Sequence, residues 1–222
     1  MANSIDAAFR SSVTNECYIF VKDKYVVVNY APGGKKKDII SGPTSIADGF
    51  PMFARTLFQY QIDCSFDIGN NVTYFFAGDQ CAKTAYTPHS PAKARILEGP
   101  SPIIKMFPCL KGTIFEDGID ATMRTFNPAY VYLFKGDKMG TLMFGNNTIE
   151  NIYKICERYY FQPFLGTVFE QGIDAAFNSN INNEVYIFKG RYYARYDMLK
   201  REYINGIIKL IGDDWLALQG IL

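Results

Sequence analysis

The chain has 222 residues, with 23 lysines and arginines against 22 aspartates and glutamates, and a formal net charge of +1 at pH 7. This balance argues against a nucleic-acid surface, which usually shows as a basic face. No run of residues approaches the roughly 18 apolar positions of a transmembrane helix. With 48% hydrophobic and 16% aromatic residues, the chain can fill the core of one closed domain over 1–222. We therefore expect neither nucleic acid nor membrane as a partner.

One short motif, Ile-Asp followed by two small residues and Phe or Met, occurs four times. Its aspartates are Asp6, Asp63, Asp120 and Asp174, which lie 57, 57 and 54 residues apart. A fixed period of this length indicates a repeat architecture, in which each repeat is one supersecondary unit. The sequence therefore predicts a single domain of four repeats, at about 4–56, 60–112, 117–166 and 171–222.

Each motif is followed by two further strand-forming segments, joined by a turn that contains Gly or Asp and so suits a tight hairpin. The first segment of each pair is rich in β-branched and aromatic residues, at 16–20, 72–76, 131–134 and 184–188. The second of each pair occupies 25–30, 81–86, 139–144 and 193–197. Three antiparallel strands per repeat are the natural interpretation.

After these strands, each repeat has a polar stretch that we interpret as a loop, and then apolar residues at three- and four-residue steps that predict a turn or two of helix. The expected helical segments are 46–50, 103–107, 152–156 and 207–215. Repeats of about fifty residues with three or four strands are typical of propeller blades. The predicted fold class is therefore all-β, a four-bladed β-propeller.

The four motifs, the second-strand segments and the linkers at 112–116 and 166–170 together resemble hemopexin-type repeats. The whole chain resembles the legume seed albumin-2 family, including its segments 48–51 and 86–90. The resemblance implies a hemopexin-like propeller with the motif strands innermost, along a central channel. It also implies a non-enzymatic seed storage or ligand-binding protein, from the cytosol of seed cells and able to form a homodimer.

By the same resemblance, the channel holds a cation, calcium or sodium, with chloride possible farther along. The cation would face the main-chain carbonyls of Asp6, Asp63, Asp120 and Asp174, a ring of hard oxygens of the sort calcium accepts. The alternative is that these aspartate side chains only bond neighbouring backbone groups and brace each blade. Both interpretations can hold together, because the cation would contact the carbonyls.

His89 is the single histidine of the sequence. A catalytic triad or a histidine zinc site needs more partners than this one residue in a Thr-Pro-His-Ser loop. The family is associated with haem and with polyamines such as spermine, so His89 is a candidate axial haem ligand. The alternative is a solvated loop residue. The sequence assigns no polyamine site and shows no constellation for an enzyme.

The five cysteines show no C-x-x-C spacing, and the last repeat has none, so no disulfide is expected to close the first repeat onto the last. Residues 1–4 lead into the first motif with no basic start or apolar core, and no signal peptide is expected. Reduced thiols and a cytosolic location follow as expectations.

Three further features bear on function. Lys35, Lys36 and Lys37 form a basic run, expected at a solvated loop tip or, alternatively, at an anion site. Trp215 is expected to pack in the core, the alternative being stacking on sugar or haem. The third repeat is degenerate, with Met123 in place of Phe. A second function class stays open, a lectin or protein-interaction module that uses one face of the propeller.

Overall fold

The computed structural model describes residues 4–32 and 37–222, and in this part of the chain the strands form four antiparallel sheets. In the first, second and fourth sheets, neighbouring strands are consecutive in the chain. The first sheet contains β1 (Ala7–Arg10), β2 (Glu16–Val21), β3 (Lys24–Asn29) and β4 (Asp38–Ser45). The second contains β5 (Cys64–Gly69), β6 (Val72–Ala77), β7 (Gln80–Ala85) and β8 (Arg95–Pro102).

The third and fourth sheets repeat this order, but the third ends in two short strands that both pair with β11. Its members are β9 (Ala121–Arg124), β10 (Tyr130–Lys135), β11 (Lys138–Met143), β12 (Thr148–Ile149) and β13 (Tyr153–Lys154). The fourth sheet contains β14 (Ala175–Asn178), β15 (Glu184–Lys189), β16 (Tyr192–Asp197) and β17 (Glu202–Leu210).

The four sheets are the blades of a propeller. The first strands of the sheets contact one another in a ring, with β1 and β9 each lying between β5 and β14. These strands surround a narrow channel, into which Ala8, Ser65, Thr122 and Ala176 project from equivalent positions. The small side chains allow four strands to approach one axis, and the Thr122 hydroxyl donates to the Ser65 carbonyl at 2.8 Å between neighbouring blades. The predicted all-β, four-bladed fold is confirmed.

The interpretation of the polar stretch as a loop was wrong, because much of it forms the outer strand of its blade, or two short strands in the third blade. Most residues of β4 and β8 are exposed, and none of the residues of β17 is buried, so these strands lack the alternation of a half-buried strand. Pro43 and Pro100 interrupt the first two of these strands, each in a cis Gly-Pro bond, and proline has no N–H to donate to a ladder. The sequence of these outer strands is therefore not distinguishable from that of a loop.

The helices are shorter than expected. Three four-residue helices follow the outer strands, namely α1 (Ile46–Gly49), α2 (Ile103–Met106) and α3 (Ile211–Asp214). Residues 207–210 belong to β17, and the expected helix at 152–156 is replaced by β13 and a 3₁₀ turn. The 3₁₀ turns are Pro51–Phe53, Leu57–Gln59, Pro91–Lys93, Pro108–Leu110, Ile155–Glu157, Tyr159–Phe164, Val168–Gln171 and Leu216–Leu218.

Aromatic packing closes the first blade onto the fourth. Tyr30 from the first blade packs edge-on against Phe177 and Tyr186 of the fourth, and its hydroxyl bonds the Asn180 side chain and accepts from the Asn180 N–H at 2.8 Å. Trp215 is fully buried in the same cluster, which confirms its packing role. All five cysteines are free thiols, so no disulfide takes part in the closure.

Lys37, the one residue of the basic run that the structure describes, is not at a solvated loop tip as expected. Lys35 and Lys36 lie outside the described residues, while Lys37 is buried rather than solvated. Its Nζ lies 5.1 Å from the centre of the Trp215 ring and 5.9 Å from that of Tyr193. Burial lowers the pKa of Lys37, although the charge of Asp214 opposes this. Lys37 therefore adds a cation–π contact to the closure of the ring.

Among the described residues, none of the helices has the length and apolar character required to cross a membrane.

Candidate functional site

One mouth of the central channel is lined by the four motif aspartates, each of which immediately precedes an innermost strand. Their carboxylates accept hydrogen bonds from the turn between the second and third strands of the same blade. The donors are the N–H groups of Lys22, Gly78, Gly136 and Gly190, which lie 2.5, 2.6, 2.8 and 2.6 Å from Asp6, Asp63, Asp120 and Asp174, respectively. The structure therefore shows the bracing of each blade that was one of the two interpretations.

The carboxylates are close enough to affect one another. Burial raises the pKa of Asp6, and the negative charges of Asp63 and Asp174 raise it further, while the N–H of Lys22 opposes the shift. Burial also raises the pKa of Asp63, with a further contribution from Asp120 and opposing hydrogen bonds from Gly78 and Gln61. The mouth is therefore a site where negative charge is concentrated and only partly compensated.

These side chains do not themselves form a metal cage. In the described part of the chain, no three His, Cys, Asp or Glu side chains are placed to hold a metal ion. Each innermost strand is paired on one side only, so alternate backbone C=O groups face away from the neighbouring strand. The Ser65 carbonyl, which meets Thr122 of the next blade, is one of these groups. A cation at this mouth would therefore bind main-chain oxygens, and the predicted carbonyl ring stays a prediction.

The opposite mouth has a different chemistry. Four residues after each motif aspartate, the innermost strands place Arg10, Asp67, Arg124 and Asn178 around the channel. Arg124 Nη1 lies 3.2 Å from Asp67 Oδ1, and the Asn178 amide exchanges hydrogen bonds of 2.9 and 3.0 Å with the backbone of Arg124. Arg10 Nη1 donates to the Ser179 carbonyl at 2.8 Å. This mouth carries two guanidiniums and one carboxylate.

A cleft opens beside this second mouth, between the third and fourth blades. It comprises two adjoining hollows of about 270 and 250 Å³. The walls come from the β9–β10 and β14–β15 loops, with Arg10 at one end. The residues that line it include Arg10, Arg124, Thr125, Phe126, Asn178, Ile181, Asn182, Asn183 and Glu184.

Glu184, at the base of the cleft, is neutralised by Arg195. The guanidinium makes two bonds to the carboxylate, of 3.1 and 2.8 Å. The first blade has Glu16 at the equivalent position, but Val27 stands opposite Tyr18 where Arg195 stands opposite Tyr186. The fourth blade therefore contributes a compensated acid to the cleft, whereas the first blade keeps a buried acid without the arginine.

His89 lies against that buried acid. Its Nε2 is 3.5 Å from the Glu16 carboxylate, whose side chain is 2% exposed, while the histidine side chain is 55% exposed. His89 adopts a positive φ of 57° in the loop after β7. The geometry gives the imidazole a carboxylate neighbour between the first and second blades, and its role as a haem ligand stays a prediction.

Comparison with known proteins decides the family. The chain is 44% identical to albumin-2 of Pisum sativum over 98% of its own length and 96% of the relative. The chain belongs to the albumin-2 family. A family model for hemopexin also matches residues 173–218, which cover the fourth blade. Together with the four sheets around a channel, this makes the protein a hemopexin-fold seed albumin of the albumin-2 family.

Solved structures of two relatives share the whole fold of this albumin-2 family member. A plant albumin from Cicer arietinum that shows hemagglutination is 43% identical, with a TM-score of 0.92 and 98% of each chain covered. A plant lectin with two metal-binding sites, also from Cicer arietinum, is 44% identical, with a TM-score of 0.91 and 98% of each chain covered.

Sequence reasoning missed the second mouth of the channel in this albumin-2 family member. Arg10, Asp67, Arg124 and Asn178 are chemically different from one another, so a search for recurring residue types does not connect them. Their constant offset of four residues from the motif aspartates was the signal that could have done so. The period of two along a strand then places them on the same side of the innermost strands as the small channel residues.

Proposed function

We propose that this protein is a non-enzymatic seed albumin that holds a cation, calcium or sodium, at the aspartate mouth of its channel. The observation that carries the proposal is the convergence of four aspartates, two of which have pKa values raised by burial and by neighbouring motif aspartates. A cation on the axis offsets this repulsion. The metal-binding sites of the Cicer arietinum lectin support the proposal.

The groups that would hold the cation are the main-chain carbonyls of Asp6, Asp63, Asp120 and Asp174. Calcium takes six to eight oxygen ligands, so a ring of four carbonyls leaves positions for water. The carboxylates would act from farther out, because their oxygens already accept the turn N–H groups. Their role is to supply negative charge and to fix the turn, and the cation would stabilise the ring of blades.

Titration calorimetry with calcium and with sodium, on protein first treated with a chelator, tests this site. We expect saturable binding that weakens in Asp63→Asn, which keeps an acceptor for the Gly78 N–H but removes the charge. The control is Asp213→Asn, which removes an exposed carboxylate of α3 far from the motif positions in sequence. Binding of neither calcium nor sodium, or binding equally affected by both substitutions, would contradict the proposal.

We also propose a small-molecule ligand, haem or a polyamine such as spermine. The half-exposed His89, with Glu16 behind it, is the group that supports haem binding through one axial nitrogen. The aspartate mouth supports attraction of a polyamine through its negative charge. A haem titration followed at the Soret band, repeated with spermine and with His89→Ala, separates the two ligands. Saturable binding unchanged by the substitution would rule out His89.

A second candidate function is glycan recognition by the face that carries the cleft. The hemagglutination shown by one Cicer arietinum relative and the lectin nature of the other favour it. The cleft offers amide groups from Asn182 and Asn183 and the exposed ring of Phe126. Hemagglutination and glycan-array binding by this protein test it, and lack of binding to every glycan would contradict it.

A further inference from the structure

The charges around the cleft do not cancel. Arg124 is paired with Asp67, and Glu184 is paired with Arg195. Arg10 bonds the Ser179 carbonyl, and no described carboxylate lies within ion-pairing distance of it. The Arg10 guanidinium therefore leaves a positive charge, with donors to spare, at the end of the cleft. Such a fork binds a carboxylate through two parallel hydrogen bonds.

The rest of the cleft suits a polyhydroxylated molecule. Asn182 and Asn183 line the cleft, and their side-chain amides make no hydrogen bond within the described chain. An amide can both donate to and accept from a hydroxyl group. Phe126 is 45% exposed, and its ring is held edge-on by Tyr160 with the ring centres 5.3 Å apart. An aromatic face fixed in this way offers an apolar surface beside the polar groups.

We propose that the cleft between the third and fourth blades binds an acidic sugar, that is, a sugar residue that carries one carboxylate. Arg10 takes the carboxylate, Asn182 and Asn183 bond the hydroxyl groups, and Phe126 contacts an apolar face of the sugar ring. This inference rests on the second function proposed above, glycan recognition, and names its ligand class.

The size of the cleft and the direction of the channel agree with this ligand. Hollows of about 270 and 250 Å³ lie just below the usual volume of drug-sized pockets, and so suit a ligand of one or two sugar residues. The aspartates lie at the other mouth of the channel, so their charge is separated from the bound anion. An inorganic anion would use Arg10 but would gain nothing from the two asparagines or from Phe126.

Titration calorimetry with glucuronic acid, N-acetylneuraminic acid, glucose and galactose tests the ligand class on the intact protein. We expect saturable binding of at least one acidic sugar and at least tenfold weaker binding of the neutral ones, since a charge-assisted pair supplies that difference. Arg10→Met should weaken acidic-sugar binding about tenfold or more. Arg95→Met, which removes a charge from the exposed outer strand β8, should leave it unchanged.

Because Arg10 also joins the first blade to the fourth, a second variant guards against a folding defect. The exposed Asn182 side chain makes no bond within the described chain, so Asn182→Ala should fold normally and weaken binding about threefold. Equal affinity for neutral and acidic sugars would overturn the proposal, as would affinity unchanged in both cleft variants. A glycan array separates the two claims. Binding to neutral glycans alone would contradict the acidic-sugar proposal but support glycan recognition. Binding to no glycan would contradict both proposals.

Discussion

The motif aspartates have two effects that act in opposite directions on stability. Each carboxylate accepts a short hydrogen bond from a turn N–H, which fixes the hairpin of its own blade. Each also adds negative charge to one mouth of the channel, where burial and the neighbouring carboxylates raise the pKa values of Asp6 and Asp63. Substitutions that keep the acceptor but remove the charge separate the two effects.

Asp63→Ala and Asp63→Asn should therefore have different effects on the melting temperature when no cation is bound: the first should lower it and the second should not. The alanine leaves the Gly78 N–H without its acceptor, at a cost of about 1–2 kcal/mol, or roughly 2–8 °C in melting temperature for a protein of this size. The asparagine keeps an acceptor oxygen and relieves the repulsion, so its melting temperature at pH 7 in chelator should equal or exceed that of the wild type. Calorimetric scans of both variants in chelator measure the difference.

The stability that Asp63→Asn gains over the wild type should depend on pH in a definite direction. A raised pKa means that the folded protein holds the Asp63 proton more tightly than the unfolded chain does, so stability falls as pH rises through the titration of this group. The advantage of Asp63→Asn should thus be present at pH 7 and disappear below the ordinary aspartate pKa of 3.8. An advantage that grows at acid pH would contradict this explanation.

At the scale of the elements, the inner strands of a blade can be predicted from the sequence and the outer strand cannot. The innermost strands and the two that follow were predictable, because small residues, aromatic runs and turn residues recur at fixed spacing. The outer strands were not, since exposure on both faces and a Gly-Pro pair give β4 and β8 the local pattern of a loop. Their conformation depends on pairing with β3 and β7, which is a tertiary effect.

The contact between the fourth blade and the first depends on a few aromatic side chains rather than on a covalent link. Trp215 is fully buried against three rings of its own blade, those of Tyr186, Phe188 and Tyr193. The same core cluster includes Tyr30 of the first blade. Trp215→Ala should cost about 3–5 kcal/mol, or roughly 6–20 °C in melting temperature. Leu216→Ala is the control, because its side chain is 61% exposed and its removal should change stability by less than about 0.5 kcal/mol. Similar losses from both would refute this role for Trp215.

A second element-scale prediction concerns the pair that joins β15 to β16. Arg195→Met leaves the Glu184 carboxylate buried without its partner, which should destabilise the fold by about 3–5 kcal/mol. The uncompensated charge also lies at the base of the cleft, so the affinity for an acidic sugar should fall. Arg195→Met/Glu184→Gln removes both charges and should restore most of each loss. A double variant as weak as the single one would show that the charge balance is not the cause.

At the scale of the whole molecule, the channel has an acidic mouth and a mouth with two arginines. The acidic mouth was predictable, because its aspartates are identical and recur with the repeat. The arginine mouth was not, because Arg10, Asp67, Arg124 and Asn178 differ and their interactions appear only when four blades meet. The same holds for the cleft, whose walls come from loops of two blades. Residues that recur in every repeat could be recognised in the sequence. Interactions between residues of different repeats could be recognised only from the folded structure.

The melting temperature of chelator-treated protein, measured with and without added calcium, tests the central claim that a cation completes the aspartate mouth. A ligand at one hundred times its dissociation constant stabilises the folded state by about 2.7 kcal/mol, which corresponds to a rise of roughly 5–11 °C. We predict a rise of this order with calcium or with sodium, smaller in Asp63→Asn and unchanged in Asp213→Asn. A melting temperature that is the same in chelator, calcium and sodium would contradict the account.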